Sequence, residues 1–96
     1  MRRVVHTRVE ADRLAAQRGV GLYGGELVAT SGGTATVNIY DALSAQGAPI
    51  MSFSVAASAI QRIFDPWPLA IHTGLYVDIG SNVSRFTLFY DPEGQE

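Results

Sequence analysis

Apolar and polar side chains alternate with a period of two along much of this chain, and this feature constrains its fold more than any other. In residues 34–40, Ala35, Val37 and Ile39 alternate with threonine, asparagine and tyrosine. Successive side chains of a β-strand point to opposite faces of its sheet, so this order predicts a strand with one buried face. The other predicted strands are residues 5–9, 22–30, 51–55, 75–79 and 85–90.

Turn-forming residues lie between these strands. The Ser-Gly-Gly of residues 31–33 and the Gly-Ser-Asn of residues 80–82 predict two tight hairpins, because glycine accepts the positive φ that such turns need. Short strands about 8–12 residues apart favour a sandwich or small barrel. We therefore predict an all-β fold, a small antiparallel β-sandwich or partly open barrel of about 6–8 strands with at most one short helix. Residues 10–18 are one candidate for a helix, and residues 56–64 are a candidate for a single helical turn.

The predicted strands define a small core. Gly24 and Gly25 interrupt one strand and predict a bulge or the close approach of another backbone. Hydrophobic residues make up 47% of the chain, and a domain this small is marginally stable alone. We expect a partner chain to cover apolar surface near residues 64–69 or Phe89, in a homo-oligomer of which a trimer is the favoured form. The predicted core consists of Leu22, Leu27, Val37, Ile39, Phe53, Val55, Leu75, Val77, Phe86 and Leu88.

Arginine is concentrated at the start of the chain, whose 96 residues predict a single domain. Residues 1–18 carry five arginines against two acids, and residues 19–96 carry two arginines against seven acids, giving formal charges of +3 and −5. We predict an arginine-rich strand or arm at 1–18, a β-sandwich domain at 19–91 and a short polar tail at 92–96. Arg2, Arg3 and Arg8 are expected to meet an acidic neighbouring subunit, the alternative being a solvated, frayed chain end.

Composition excludes or disfavours several classes of protein. Cysteine is absent, which excludes disulfides, thiolate metal sites and cysteine nucleophiles. A formal net charge of −2 argues against nucleic-acid binding, and there is no apolar run of 18 residues to span a membrane. The first residues lack the apolar stretch of a signal peptide, so the sequence predicts a soluble protein without an export signal.

No residue pattern indicates catalysis, a metal site or a cofactor. His6 and His72 have no second histidine at metal-ligand spacing, and Asp41 and Asp91 are isolated acids of the kind that start turns. The glycines of residues 19–25 do not predict a phosphate-binding loop, because a strand rather than a helix follows them. We therefore expect no enzyme, cofactor or metal. A small hydrolase remains an alternative only if His72 meets an acid in a cleft.

Trp67 lies between two prolines and is the most unusual aromatic residue of the chain. Two interpretations stay open: the side chain caps one end of the core, or it stacks on a sugar or anchors a partner. Stacking on a sugar, with Tyr23 or Tyr76 as further surface, would describe a carbohydrate-binding module. The candidate interface consists of Arg2, Arg3, Arg8, Phe64, Trp67, Leu69 and Phe89.

Five segments together resemble a known protein family. They have the sequences GVGLYG, VNIYD, GAPI, HTGLYV and TLFY and occupy residues 19–24, 37–41, 47–50, 72–77 and 87–90. In order and spacing they are similar to small β-sandwich structural proteins of tailed bacteriophages, which include capsid decoration (cement) proteins, head-fibre proteins and related virion accessory proteins. The resemblance covers about residues 19–90. The chain departs from the family pattern at Gly25 and Glu26 and in its arginine-rich start.

This resemblance implies a structural protein without catalytic residues. It implies a place in the virion, assembled in the host cytoplasm, with the major capsid protein or another virion protein as partner. The function we expect is that of a decoration protein that binds and stabilises the capsid lattice. The alternatives are a phage tail or head–tail accessory protein and a carbohydrate-binding β-sandwich module.

Overall fold

A computed structural model describes residues 4–17 and 19–92. The candidate helix in residues 10–18 does not form, because Arg13–Gln17 are a strand that pairs with another strand at the edge of a sheet. The candidate helical turn in residues 56–64 is a non-helical turn, in which the N–H of Ala59 donates to the carbonyl of Ala56 and Ser58 has a positive φ, and a strand begins at Ile60. No helix occurs in the described ranges. The eight strands are β1 Val5–Val9, β2 Arg13–Gln17, β3 Gly21–Ala29, β4 Ala35–Asp41, β5 Met51–Val55, β6 Ile60–Ala70, β7 Gly74–Ile79 and β8 Val83–Asp91.

The strands form two four-stranded sheets. Sheet A has the order β1-β8-β3-β6 and sheet B the order β2-β7-β4-β5, and all neighbours are antiparallel. The prediction of a small antiparallel β-sandwich is confirmed. β1 and β6 are the edge strands of sheet A, whereas β2 and β5 are those of sheet B.

The strand order follows from folding the chain in half. A fold at the connection between β4 and β5 pairs β4 with β5, β3 with β6, β2 with β7 and β1 with β8, and all four pairs are present. These four pairs form one long antiparallel hairpin. When the hairpin curls into the sandwich, β3 also pairs with β8 and β4 with β7. The result is the eight-stranded, double-sheet jelly roll.

The two glycine-containing turns cross between sheets, so the prediction that they are tight hairpins is wrong. Residues 31–33 connect β3 of sheet A to β4 of sheet B, and residues 80–82 connect β7 of sheet B to β8 of sheet A. The turns bind each other instead. The N–H of Thr30 donates to the carbonyl of Asn82 (2.9 Å), and the Asn82 side chain donates to the carbonyl of Thr34 (3.1 Å).

The core lies between the sheets and matches the predicted set closely. Nine of the ten predicted residues are at most 1% exposed, and only Val55 is partly buried. Phe53 of β5 and Phe86 of β8 contact edge to face across the sandwich, with ring centroids 5.1 Å apart. Burying each such side chain contributes about 1.5–3 kcal/mol, so this contact across the sheets holds them together.

The start of the chain belongs to the sandwich where it is described. β1 pairs with β8 in sheet A, and β2 pairs with β7 in sheet B. Within the segment predicted to be a strand or an arm, Val5–Val9 are an edge strand, and Arg8 lies on it. Arg2, Arg3 and Arg18 lie outside the described residues, as does the predicted polar tail beyond Pro92.

Candidate docking surface

The face of sheet A that points away from the core carries a row of aromatic side chains. Strand register aligns His6 of β1 with Phe89 of β8, and it places Gly24 of β3 between Phe89 and Phe64 of β6. The ring centroids are 4.7 Å apart for His6 and Phe89 and 5.8 Å apart for Phe64 and Phe89. Tyr23 stacks on Phe64 at 5.3 Å. We call His6, Tyr23, Phe64 and Phe89 the aromatic row.

Two members of the row are buried although they lie outside the main core. Tyr23 is 5% exposed and Phe89 3% exposed, and neither belongs to the core cluster between the sheets. The guanidinium of Arg62 lies over the Phe89 ring, 5.3 Å from its centroid. The chain itself therefore covers Phe89. Of the two alternatives predicted for a surface covered by a partner, Phe89 is already buried by Arg62, His6 and Phe64, and coverage of residues 64–69 stays a prediction.

A wide bulge in β6 presents Trp67. Leu22 pairs with Leu69 and Gly24 with Phe64, so four residues of β6 lie opposite the single residue Tyr23 of β3. Pro66 and Pro68 have no N–H to donate to a neighbouring strand, and their rings fix the backbone φ. Trp67, between them, is 80% exposed. The interpretation that Trp67 caps one end of the core is therefore wrong.

Glycine permits this bulge on the β3 side. Gly24 has a φ of +144°, and a Cβ atom there would overlap the carbonyl oxygen of Ile63 on β6. The predicted bulge or close backbone approach at Gly24 and Gly25 is confirmed. A Cβ at Gly25 would meet the Phe86 ring 2.7 Å away. The two glycines thus bring β3 close to the bulged strand on one side and to the core on the other.

Exposed large apolar side chains concentrate on β6. We call Ile60, Phe64, Trp67 and Leu69 the β6 strip, and they are 61%, 48%, 80% and 41% exposed. Three of them are sequence-predicted candidates, which the structure places on one strand. Arg8 lies on β1, at the opposite edge of sheet A, so the structure does not bring it to the strip. Ile60 and Arg62 were not predicted, because Ile-Gln-Arg-Ile-Phe alternates imperfectly.

Three described arginines share the outer face of sheet A. Arg8 lies 3.5 Å from the exposed Glu10, and Arg85 lies 3.8 Å from the half-buried Glu26. Such pairs contribute about 0–1 kcal/mol each. Arg62 differs from both, because its guanidinium lies over a ring and forms no ion pair with any described carboxylate.

The outer face of sheet B is polar and hydrogen-bonded. The Ser52 hydroxyl donates to Oδ1 of Asn38 (2.8 Å), and the backbone N–H of Ile79 donates to Oδ1 of Asp12 (2.7 Å). Burial, the negative charge of Asp12 and a side-chain hydrogen bond to Asp12 raise the pKa of the Asp78 carboxyl above its ordinary value. Asp78 is therefore protonated more readily than an isolated aspartate.

Asp41 organises the corner before β7. Its carboxylate accepts backbone N–H groups of His72, Thr73 and Gly74, the shortest at 2.7 Å. Burial opposes ionisation, but these three hydrogen bonds and the nearby His72 lower the pKa of the Asp41 carboxyl below its ordinary value. Asp41 thus binds backbone N–H groups, but the prediction that it starts a turn of its own is wrong for these bonds, because the corner lies about thirty residues further along the chain. The Asp41 carboxylate accepts the backbone N–H of His72, and this bond does not involve the imidazole that the hydrolase alternative requires.

The described ranges contain no group of three metal-ligating side chains. They also contain no helix of the length and hydrophobicity needed to span a membrane. His6 belongs to the aromatic row on sheet A, and His72 lies in the corner beside Asp41. The two histidines are thus in different parts of the sandwich.

Comparison of the chain with protein-family models, with curated proteins and with solved structures gave no match.

Proposed function

We propose that this chain is a non-enzymatic structural protein of a tailed-bacteriophage virion, and that it acts as a capsid decoration protein. In this role it binds neighbouring capsid subunits and stabilises the lattice by adding buried interface. The β6 strip is the observation that carries the proposal. Four large apolar side chains exposed along one edge strand are characteristic of a surface that another protein covers.

The strip has the properties of an assembly surface. An exposed apolar edge strand invites unwanted pairing with other chains, and proteins commonly block such edges with prolines or bulges. β6 has both devices at residues 65–68, yet it keeps Trp67 exposed beside them. A strand protected from promiscuous pairing but presenting tryptophan suits a specific partner.

Two further arguments support a place in the virion, and both rest on similarity to other proteins. The five segments quoted above resemble phage structural proteins. The eight-stranded jelly roll is used by viral capsid domains, although lectin domains and cupins use it as well. A tail or head–tail accessory protein would use the same fold and surface, and a homo-oligomer, with a trimer favoured, would add further buried area.

The test is the composition and stability of phage particles. We expect the chain among the proteins of particles purified from the phage whose genome encodes it, in a fixed ratio to the major capsid protein. Deleting its gene should leave assembled particles that release DNA at a lower temperature, and adding the purified protein should restore the parent value. Absence from the particles, measured by quantitative mass spectrometry, would refute the proposal.

A carbohydrate-binding module is the second candidate, and the exposure of Trp67 favours it. Aromatic side chains on a rigid surface stack on sugar rings, and Trp67 is held between two prolines. A glycan array probed with the parent protein and Trp67→Ala separates the candidates. If the protein binds a glycan and this binding requires Trp67, the carbohydrate-binding function is supported. If the protein binds no glycan on the array, that function is excluded.

A further inference from the structure

We propose that Arg62 and the β6 strip form a docking surface for an acidic surface of another virion protein, with Trp67 as the apolar anchor and Arg62 as the carboxylate ligand. The inference rests on the proposed function and specifies its partner. The juxtaposition that carries it lies on one strand, where Arg62 precedes Phe64 by two residues and Trp67 by five.

Binding of a partner to Trp67 should cost little conformational entropy. Ordering a side chain or loop at an interface costs free energy, and a segment that is already rigid avoids much of that cost. The proline on each side restricts the backbone of Trp67, and Gly24 brings β3 close to the strand next to the bulge. Tryptophan is among the residues that most often dominate binding energy at protein interfaces.

Arg62 is held in place without using its hydrogen-bonding capacity. Its guanidinium lies 5.3 Å from the centre of the Phe89 ring, and arginine commonly stacks on aromatic faces in this way. Stacking leaves the N–H groups at the guanidinium edge available to a carboxylate, which they can bind in a bidentate geometry. Within the described ranges no carboxylate forms an ion pair with Arg62, whereas Arg8 and Arg85 each have one.

Charge complementarity selects an acidic partner. Among the described residues, Arg8 and Arg85 on the outer face of sheet A are paired with Glu10 and Glu26, and Asp65 lies on β6 after Phe64, whereas Arg62 is paired with no carboxylate. Arg62 is therefore a cation without a counter-ion among the described residues, in a chain whose formal net charge is −2. A partner rich in Asp and Glu would be steered to it, and one with a basic surface would be repelled.

Most of the described carboxylates that a second copy of this chain could offer to Arg62 are already engaged, with Asp65 of β6 as an exception, and this favours another protein as the partner. The engaged carboxylates are Glu10 and Glu26 with arginines, Asp12 with the Ile79 N–H, and Asp41 with the corner before β7. Asp78 interacts with Asp12. Binding Arg62 through these groups would break contacts within the second copy, which makes them poor ligands.

The experiment measures binding to particles that lack this protein. Purified protein is cosedimented with such particles over a salt series, using the parent, Trp67→Ala, Arg62→Gln and Arg62→Glu. Leu43→Ala is the control for loss of an exposed apolar side chain away from β6, and Arg13→Gln is the control for loss of an exposed arginine on sheet B. A photo-reactive phenylalanine at position 67 identifies the contacted peptide by mass spectrometry.

We expect Trp67→Ala to weaken binding by about 30-fold or more, as at an interface hot spot. Arg62→Glu should weaken it by about tenfold at low salt and less at high salt, because screening weakens exposed charge pairs. Both controls and Trp67→Ala should keep the parent's urea midpoint, and both controls should bind like the parent. The two Arg62 variants lose the contact with the Phe89 ring, so their urea midpoints should fall slightly while they remain folded under the conditions of the binding assay. The cross-linked peptide should contain Asp or Glu, and replacing that acid by arginine should restore binding of Arg62→Glu.

The contrary results are distinct. Particle binding that is unchanged in Trp67→Ala and Arg62→Glu would overturn the docking surface while leaving the virion role intact. A cross-link only to another copy, to nucleic acid or to a glycan would overturn the acidic protein partner. A protein that neither occurs in particles nor binds to them would refute the proposed function and this inference together.

Discussion

The outer faces of the two sheets are built from different chemistry. Sheet A carries the aromatic row, in which Phe89 is 3% exposed under Arg62 and Phe64. Sheet B carries hydroxyl, amide and carboxyl groups that bind one another and the backbone, as Ser52 does with Asn38. Sheet A is therefore covered on both sides by apolar contacts, whereas sheet B faces solvent on one side in the usual manner of an antiparallel sheet.

This difference indicates that the outer face of sheet A serves binding, and that interactions on sheet B make the stability of the fold depend on pH. The aromatic row on sheet A contains no carboxylate, and it ends in an exposed apolar strip. Sheet B depends partly on Asp41, whose pKa is lowered by backbone hydrogen bonds, and its Asp78 has a raised pKa. Mutations on sheet A should therefore have large effects that vary little with pH, and those on sheet B smaller effects that depend on it.

The largest effect is expected where β3 approaches the bulge of sheet A. Gly24→Ala adds a Cβ that overlaps the Ile63 carbonyl, at a φ of +144° that alanine rarely adopts. We expect a loss of about 4 kcal/mol or more in the free energy of unfolding, or failure to fold. Urea denaturation followed by circular dichroism measures it.

Gly47 provides a matched control in the loop of sheet B. It also has a positive φ, +74°, but a Cβ there meets no atom within 4 Å. Gly47→Ala should cost only about 1–2 kcal/mol of backbone strain. Equal losses for the two variants would show that the contact with Ile63 contributes nothing and that the bulge does not depend on glycine.

The next effect tests whether the aromatic row is a second core. Phe89→Ala removes a ring that is 3% exposed, and truncation of buried phenylalanine costs about 3–5 kcal/mol. We expect about 3 kcal/mol, since the row covers only one side of one sheet. Tyr40→Ala, at a half-buried position on the outer face of sheet B, should cost less than about 1.5 kcal/mol. Similar losses at the two sites, measured by thermal unfolding, would remove the distinction between the faces.

The sandwich could be predicted from the sequence because six strands are rich in apolar residues and show an alternation of apolar and polar side chains. Residues such as Val37 and Phe86 are in the core because each alternates with polar neighbours over a full strand. The bulge at Gly24 was predicted because two adjacent glycines within a strand have few other uses. Local sequence patterns were thus enough to predict the fold class and most of the core.

Features that depend on distant pairing could not be predicted in this way. β2 has one large apolar residue, Leu14, and β6 contains Pro66 and Pro68, so neither shows a regular alternation. The turn residues at 31–33 suit a hairpin and a crossing between sheets equally well. The aromatic row joins His6 to Phe89 across more than eighty residues of sequence, and only strand register brings them together.

A smaller effect, dependent on pH, is expected at the corner of sheet B. Asp41 has a lowered pKa in the folded protein, so its charged form stabilises the fold above the ordinary aspartate pKa of about 3.9, and this contribution is lost as pH falls through the folded value. Asp41→Asn weakens three backbone hydrogen bonds, and solvent screening limits the loss to about 1 kcal/mol at pH 7. The difference from the parent should shrink in acid. Urea midpoints at several pH values measure it, and a loss that is independent of pH would contradict the assignment.

The smallest effect, opposite in sign, is expected at the carboxyl pair on the same sheet. The pKa of Asp78 is raised by burial and by Asp12, so folding favours its protonated form, and this contribution is present in acid and lost as pH rises through the folded value. At pH 7 the two charges repel each other. Asp78→Asn should therefore raise the stability by well under 1 kcal/mol, because the pair is largely solvated, and the gain should vanish below about pH 4 and decrease with added salt. Asp12→Asn removes the same repulsion but also weakens the bond from the Ile79 N–H, so it should gain less or lose stability. Urea midpoints of the two variants across pH and salt distinguish these outcomes, and a stability gain for Asp78→Asn that persists in acid would show that repulsion between Asp12 and Asp78 is not its cause.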